Sequence, residues 1–235
     1  LHLPISPLAC PHSLHAARAW RRSRRMSSNA TPVDAYGFPL DGAALRDVVR
    51  AALDEDRAFE DCTTLATVPA AAMSSATLSA RKAGVVCGGP LATAAFRMLS
   101  DHVRIETVRA DGTLVSSGDV VLRVTGPSRA LLQAERVALN YMMHLSGVAT
   151  LTHTFVRAVS GTGAQILDTR KTTPGLRLLE KYAVRCGGGR NHRMNLATMA
   201  MLKDNHIAAV GGDIVAAVAA VRAGAQSGVR VEVEA

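Results

Sequence analysis

Short apolar segments alternate with helical segments from residue 164 to the end of the 235-residue chain. The strand-like segments are AQILDT (164–169), ATMAMLKDNHI (197–207) and VRVEVEA (229–235). Between them, GLRLLEKYAVRCGGG (175–189) and DIVAAVAAVRAGAQSG (213–228) have the length and composition of helices. This alternation predicts β-α-β units around a parallel sheet, which either closes into a barrel or stays open.

Two nucleotide-binding patterns that would favour an open sheet do not occur in the sequence. No strand-like segment is followed by G-x-G-x-x-G, and there is no G-x-x-x-x-G-K-[ST]. About three parallel strands are also too few to close a barrel, and nothing follows residues 229–235 to cover the last one. We therefore expect an incomplete barrel in a truncated chain, with its C-terminal part missing.

The first half of the chain has the pattern of an α+β domain. Residues 41–58 have helical periodicity after a potential cap at Asp41, and Pro90 lies near the start of a second helix. Antiparallel strands packed on these helices are expected over 76–89, 102–110 and 119–126.

A longer helical segment, residues 127–161, follows these strands, and Gly147 is expected to break it. Three regions result from these assignments. Residues 1–33 form a leader that is disordered or a mis-assigned start and is excluded from the fold. The N-terminal α+β domain then covers 34–146, and the α/β barrel domain covers 147–235.

The formal net charge of +8 is concentrated near the N-terminus. Residues 1–33 contain five arginines and no acidic residue, so residues 34–235 carry only +3. The leader is either a transit segment or a mis-assigned start with Met26 as the true initiator. We favour the mis-assigned start. With this distribution and only 3% aromatic residues, a basic RNA-binding module is disfavoured. No apolar run approaches the roughly 20 residues that span a bilayer, so we expect no membrane insertion.

Cysteine and lysine usage indicates the compartment and the kind of site. The four cysteines have no C-x-x-C spacing, which argues against a zinc site or disulfide framework and predicts a reducing, cytoplasmic location. Only four lysines accompany 23 arginines, and three of the four lie within residues 171–203. Because an amine is a compact charge suited to phosphate oxygens or to titration, this clustering indicates sites that need one.

Polar and cationic side chains follow the strand-like segments of the second half. Because the carboxyl ends of parallel strands meet at one edge, we expect these side chains to converge. Taken singly, each is more commonly a solvent-exposed loop residue. Together they form a cationic cluster that favours a ligand with several phosphates or carboxylates. The set comprises Thr169, Arg170, Lys171, Arg190, His192, Arg193, Lys203, Glu232 and Glu234.

Four blocks of the sequence occur in a distinctive order and spacing: DCTTLATVP from residue 61, ERVALNYMMHLSGVAT from 135, DTRKTTPGLRLLEKYAVRCGGGRNHRMNL from 168 and KDNHI from 203. Together these blocks resemble the quinolinate phosphoribosyltransferase family. The first block departs from the family pattern, since Glu60 stands where a glycine is usual. The resemblance covers the chain from about residue 41 onward, and the block from 168 is highly specific.

The resemblance implies a two-domain fold of the type II phosphoribosyltransferase kind, in a homodimer whose active sites are shared between subunits. It also implies a magnesium-dependent reaction of quinolinate with phosphoribosyl pyrophosphate in de novo NAD biosynthesis. The products would be nicotinate mononucleotide, pyrophosphate and carbon dioxide. A related enzyme acting on nicotinate or another aromatic acid stays open, as does an inactive fragment. We expect the 235-residue polypeptide to be inactive alone.

The resemblance assigns roles to eight residues. Arg136 would reach the partner's site and clamp a quinolinate carboxylate. The catalytic residues would be Lys171 and Lys203, between quinolinate and the phosphates, and Glu232, near the ribose and the magnesium ion. The residues that bind the pyridine dicarboxylate would be Thr169, Arg170, His192 and Arg193.

Overall fold

A four-stranded antiparallel sheet organises the N-terminal half of the protein. The computed structural model describes residues 4–7, 36–225 and 228–234. Its strands are β1 (Ile5–Pro7), β2 (Met73–Ser79), β4 (Arg104–Thr107) and β6 (Val120–Pro127). They lie in the order β1-β2-β6-β4, and Ala76 in β2 pairs with both Ile5 and Val124.

The predicted helices of this half are confirmed. Helix α1 (Gly42–Glu55) begins where the Asp41 carboxylate accepts two backbone N–H groups, each at 2.9 Å. Helix α3 (Gly89–Leu99) has Pro90 in its first turn, where proline removes no helical hydrogen bond. A 3₁₀ turn (Ala58–Glu60) and the short helix α2 (Cys62–Thr67) precede the sheet.

The prediction of one strand over residues 76–89 was wrong. Strand β2 ends at Ser79, the chain turns through exposed Arg81 and Lys82, and Gly84–Val85 forms strand β3 in a separate pair with β5 (Leu114–Val115). Exposed charged residues at the centre of the apolar stretch end the first strand, because they cannot enter the buried face of the sheet.

The predicted break at Gly147 was also wrong, since helix α4 runs without interruption over Ser128–Ala158. Glycine lowers helix stability by only about 1 kcal/mol. Buried residues on both sides of the glycine, among them Met142, Leu145 and Ala149, fix the helix against the core and outweigh that cost. Helix α4 therefore crosses the expected boundary at residues 146/147 and packs against α3 and the next helix.

The second half contains helices and short parallel pairs. Strand β7 (Ala200–Leu202) pairs in parallel with β8 (Val231–Val233). The segment 164–169, predicted to be a strand, makes only a single parallel bridge between Leu167 and Arg190. Helices α5, α6 and α7 cover Arg177–Cys186, Asp204–Ala209 and Ile214–Gly224.

Part of the leader that the sequence led us to exclude belongs to the fold, because β1 is an edge strand of the main sheet. Residues 1–3 and 8–33 lie outside the described residues. Among the described helices, none is both long enough and apolar enough to cross a bilayer.

Candidate active site

One cavity of about 560 Å³ contains seven of the eight predicted site residues in its lining. Asp168, Glu234, Leu167 and Met201 complete that lining. Residues widely separated in the sequence therefore meet at one place, as predicted for every member of the cationic cluster except Arg190. The seven are Thr169, Arg170, Lys171, His192, Arg193, Lys203 and Glu232.

Parallel backbone pairing brings these residues together. The Asp168 N–H donates to the Arg190 carbonyl at 3.1 Å, and the Arg190 N–H donates to the Ile166 carbonyl at 2.9 Å. Strands β7 and β8 pair in the same sense, and the Glu234 N–H donates to the Leu202 carbonyl at 2.8 Å. Each pair presents its carboxyl ends at one edge, which is where the polar residues follow.

A buried ion pair in the cavity wall joins the two cation-bearing segments. Oδ1 of Asp168 accepts the Lys181 ammonium and the His192 backbone N–H, the latter at 2.8 Å. Oδ2 accepts the Asn191 side-chain amide at 2.6 Å, and Arg185 donates to Oδ1 of Asn191 at 2.7 Å. The side chains of Lys181 and Asp168 are only 1% and 6% exposed. Asp168 thus links the segment that continues to Arg170 with the one that contains His192.

Sequence reasoning missed Asp168, Lys181 and Asn191, although one signal pointed to the lysine. Lys181 is one of only four lysines, and it lies in a helix next to the buried Tyr182. A buried ammonium requires a nearby anion or several acceptors. That requirement predicts a partner carboxylate for Lys181, but the pattern alone does not say which one.

Two carboxylates line the cavity, that of Glu232 in β8 and that of Glu234, the residue after β8. Side chains two residues apart on a strand share a face, and both Glu232 and Glu234 contribute to the lining. Oε2 of Glu232 lies 2.9 Å from Nε2 of His192, and Glu234 forms an ion pair with Lys203. The carboxylates therefore partly balance the local positive charge.

Three cations of the lining have no carboxylate partner among the described residues, namely Arg170, Lys171 and Arg193. Arg193 donates through Nη1 to the Met199 carbonyl at 3.1 Å. Nε of Arg170 is buried and has no hydrogen-bond partner. An unsatisfied buried donor typically costs about 1 to 3 kcal/mol, so an anionic ligand that reached it would bind favourably.

Glu180 fastens the loop that contains Arg170 and Lys171. Its Oε2 accepts the Thr173 N–H at 3.1 Å, and its Oε1 lies 2.8 Å from Nε2 of His144 on helix α4. Burial raises the pKa of Glu180, but the hydrogen bonds from Thr173 and His144 outweigh burial and hold that pKa below its ordinary value. Helix α5 therefore anchors the end of the loop through a carboxylate that stays ionised.

We expect Glu180→Gln to lower the free energy of unfolding by about 1 kcal/mol at pH 7, because the charged acceptor becomes a weaker neutral one. The contribution of the carboxylate is present above the unfolded pKa, near 4.5, and is lost as the pH falls through the lower folded value. Urea unfolding at pH 7 and pH 3 measures both effects. Glu55→Gln, at an exposed position, is the control. A stability difference independent of pH would contradict the assignment.

Two predicted residues do not line the cavity, Arg136 and Arg190, and Arg190 lines a second cavity instead. Arg136 lies exposed on helix α4 and makes no hydrogen bond or ion pair with the described residues. Its prediction concerns the cavity of a partner subunit, so its role stays a prediction.

Models of one family match most of the chain. The model of the quinolinate phosphoribosyl transferase N-terminal domain matches residues 61–146, and that of the C-terminal domain matches residues 148–235. The chain is 48% identical over 185 residues to the nicotinate-nucleotide pyrophosphorylase (carboxylating) of Mycobacterium leprae. It is 39% identical over 215 residues to quinolinate phosphoribosyltransferase (decarboxylating) 1 of Nicotiana glauca.

These matches cover 77% and 89% of the chain, which spans 65% and 60% of the two relatives. Among solved structures, NadC from Streptococcus pyogenes is similar with a TM-score of 0.79 and 44% identity, over 83% of this chain and 69% of that one. This likeness confirms the predicted fold class, a mixed α+β domain followed by part of a type II phosphoribosyltransferase α/β barrel. The chain therefore belongs to the quinolinate phosphoribosyl transferase family.

Proposed function

We propose that the cavity is the quinolinate-binding part of an enzyme that transfers phosphoribosyl from phosphoribosyl pyrophosphate to quinolinate with decarboxylation. The products are nicotinate mononucleotide, pyrophosphate and carbon dioxide, in de novo NAD biosynthesis. Family membership supports this reaction, and so do the relatives' names. The observation that carries the proposal is the buried Nε of Arg170, which has no partner and lies beside two further cations without carboxylate partners.

The cation set suits a ligand with two adjacent carboxylates. Arg170 and Arg193 offer planar guanidinium groups that match carboxylates, and Thr169 adds a hydroxyl. Lys171 and Lys203 offer point charges on the same cavity, suited to phosphate oxygens of the second substrate. His192 completes the dicarboxylate group in this proposal, with its ring held by the bond to Glu232.

Charge changes during the reaction account for the mixture of cations and carboxylates. The ring nitrogen of quinolinate forms a bond to the anomeric carbon as the bond to pyrophosphate breaks, and positive charge develops on the ribose. Glu232 would stabilise that charge. When the 2-carboxylate leaves as carbon dioxide, its electron pair stays on the ring carbon, which then takes a proton. The fixed cations would stabilise that electron pair.

The acidic residues of the cavity fit a magnesium ion that takes most of its ligands from a substrate. Glu232 and Glu234 share one face of the cavity, and their side chains are 47% and 64% exposed. Magnesium usually binds one or two protein carboxylates together with substrate phosphates and water. We propose that Glu232, with Glu234 beside it, would hold the ion. When bound, it would neutralise the charge of the departing pyrophosphate.

A homodimer with shared active sites is the proposed assembly. Helix α4 presents Met143, Leu151 and Phe155 at 40%, 60% and 54% exposure, together with the exposed Arg136. An exposed apolar surface is typical of a protein interface, and Arg136 on the same helix would supply the charge that enters the partner's site.

We expect Leu151→Glu to convert a dimer into a monomer, because it would bury a charge in the apolar part of that surface. Sedimentation velocity measures the mass of each variant. Leu196→Glu is the matched control, since Leu196 is 69% exposed outside helix α4. A wild-type monomer, or an equally dimeric Leu151→Glu variant, would contradict this arrangement.

The cytoplasm is the proposed location. The described cysteines, Cys62, Cys87 and Cys186, are free thiols, and the last two are buried. Free thiols are typical of proteins in a reducing compartment.

Arg170→Ala should weaken quinolinate binding by about tenfold to a hundredfold, because it removes a charge-assisted bond to a carboxylate. Isothermal titration calorimetry of the purified chain measures this affinity. Arg97→Ala, exposed on helix α3, should bind like the wild type. Equal binding by Arg170→Ala would remove the substrate assignment. Nicotinate binding as tight as quinolinate binding would indicate a related transferase for a monocarboxylate.

A further inference from the structure

Lys181 does not line the cavity, although its ammonium pairs with a carboxylate that does. Asp168 occupies the cavity wall, where a free negative charge would repel any anionic ligand. Lys181, only 1% exposed, supplies the opposite charge from the protein side. The positive potential of the cavity therefore depends on a lysine that no ligand can contact.

The same carboxylate fixes the distance between the two cation-bearing segments. Its two oxygens hold the backbone of His192 and the side chain of Asn191, while its own backbone continues into Arg170. The Asn191 amide also donates to the Lys181 carbonyl at 2.8 Å, which ties this arrangement to helix α5. A shift of Asp168 would thus move the guanidinium of Arg170 relative to the imidazole of His192.

We propose that Lys181 and Asn191 are positioning residues of the anion site. Lys181 neutralises Asp168 so that this carboxylate does not oppose the ligand, and Asn191 holds Asp168 in the orientation that sets the spacing of the cations. The identity of the ligand, a pyridine dicarboxylate, rests on the proposed function.

Quinolinate affinity of folded variants, measured by calorimetry, tests the charge role. Lys181→Met should bind at least tenfold more weakly, since it leaves an uncompensated carboxylate in the lining of the cavity that takes the dianion. Because repulsion scales with ligand charge, the loss should be larger for quinolinate than for nicotinate. The double variant Asp168→Asn/Lys181→Met should recover part of the affinity, because it removes the unpaired charge but also one of the bonds from Asn191 and His192. Lys82→Met, which removes an exposed lysine outside the cavity, should bind like the wild type.

Asn191→Ala tests the geometric role while both charges of the ion pair remain, and it stays informative should Lys181→Met not fold. We expect it to weaken quinolinate binding about fivefold or more while circular dichroism stays unchanged. If folded Lys181→Met or Asn191→Ala bound quinolinate as tightly as the wild type, the proposal would be overturned. A double variant that bound quinolinate no more tightly than Lys181→Met would also overturn it. If the wild type itself does not bind quinolinate, it is the proposed function that fails.

Discussion

Replacing Lys181 by methionine should lower the free energy of unfolding by about 3 to 5 kcal/mol, the usual effect of removing one partner of a buried ion pair. The Asp168 side chain is 6% exposed, so water cannot replace the lost ammonium. The bonds from Asn191 and the His192 N–H remain, but neither carries a compensating charge. Urea denaturation followed by circular dichroism at pH 7 measures the loss.

The double variant Asp168→Asn/Lys181→Met separates charge from packing. With both charges removed, most of the lost stability should return, because an uncharged pair of similar volume is often as stable as a buried ion pair. One bond is lost, since the new amide of residue 168 can no longer accept from both Asn191 and His192. Lys82→Met should change stability by less than about 0.5 kcal/mol. A Lys181→Met variant as stable as the wild type would contradict the burial of the pair.

The location of the cavity could be predicted because it depends on local patterns and one topological rule. Arg170 and Lys203 each follow an apolar segment that ends in a parallel pairing. Since parallel strands present their carboxyl ends at one edge, placing these cations together required no tertiary coordinates. The starts of two helices, at Asp41 and near Pro90, were predicted correctly because each depends on groups within a single turn.

The features that sequence reasoning missed depend on contacts between distant segments. Gly147 favours a break by propensity, yet burial of Met142 and Ala149 on either side keeps helix α4 intact. The partner of Lys181 is 13 residues away on a different element, and no periodicity identifies it. Asp111 lies in a turn, and its carboxylate joins the two halves of the chain by accepting the Tyr182 hydroxyl, 71 residues away.

Asp111→Ala should lower the free energy of unfolding by roughly 3 to 5 kcal/mol, because three donors lose their common acceptor and each typically costs about 1 to 3 kcal/mol. The donors are the N–H groups of Gly88 and Gly89 at the start of helix α3, each at 3.0 Å, and the Tyr182 hydroxyl at 2.9 Å. Tyr182 belongs to helix α5, 71 residues away. Tyr182→Phe, which removes one of the three bonds, should lose only about 1 kcal/mol.

The free energy that Asp111 contributes to folding should depend on pH, whereas that of a neutral hydrogen-bond acceptor should not. Burial raises the pKa of Asp111 above its ordinary 3.8, and the opposing bonds from Gly89, Gly88 and Tyr182 do not outweigh burial. The stabilising contribution of the carboxyl is therefore full below the unfolded pKa and declines as the pH rises through the folded value. Asparagine cannot titrate, so the stability difference between wild type and Asp111→Asn should narrow as the pH rises from about 4. Urea unfolding at pH 4 and pH 8 measures this difference, and a difference that widened with pH would show that the folded pKa is lowered instead.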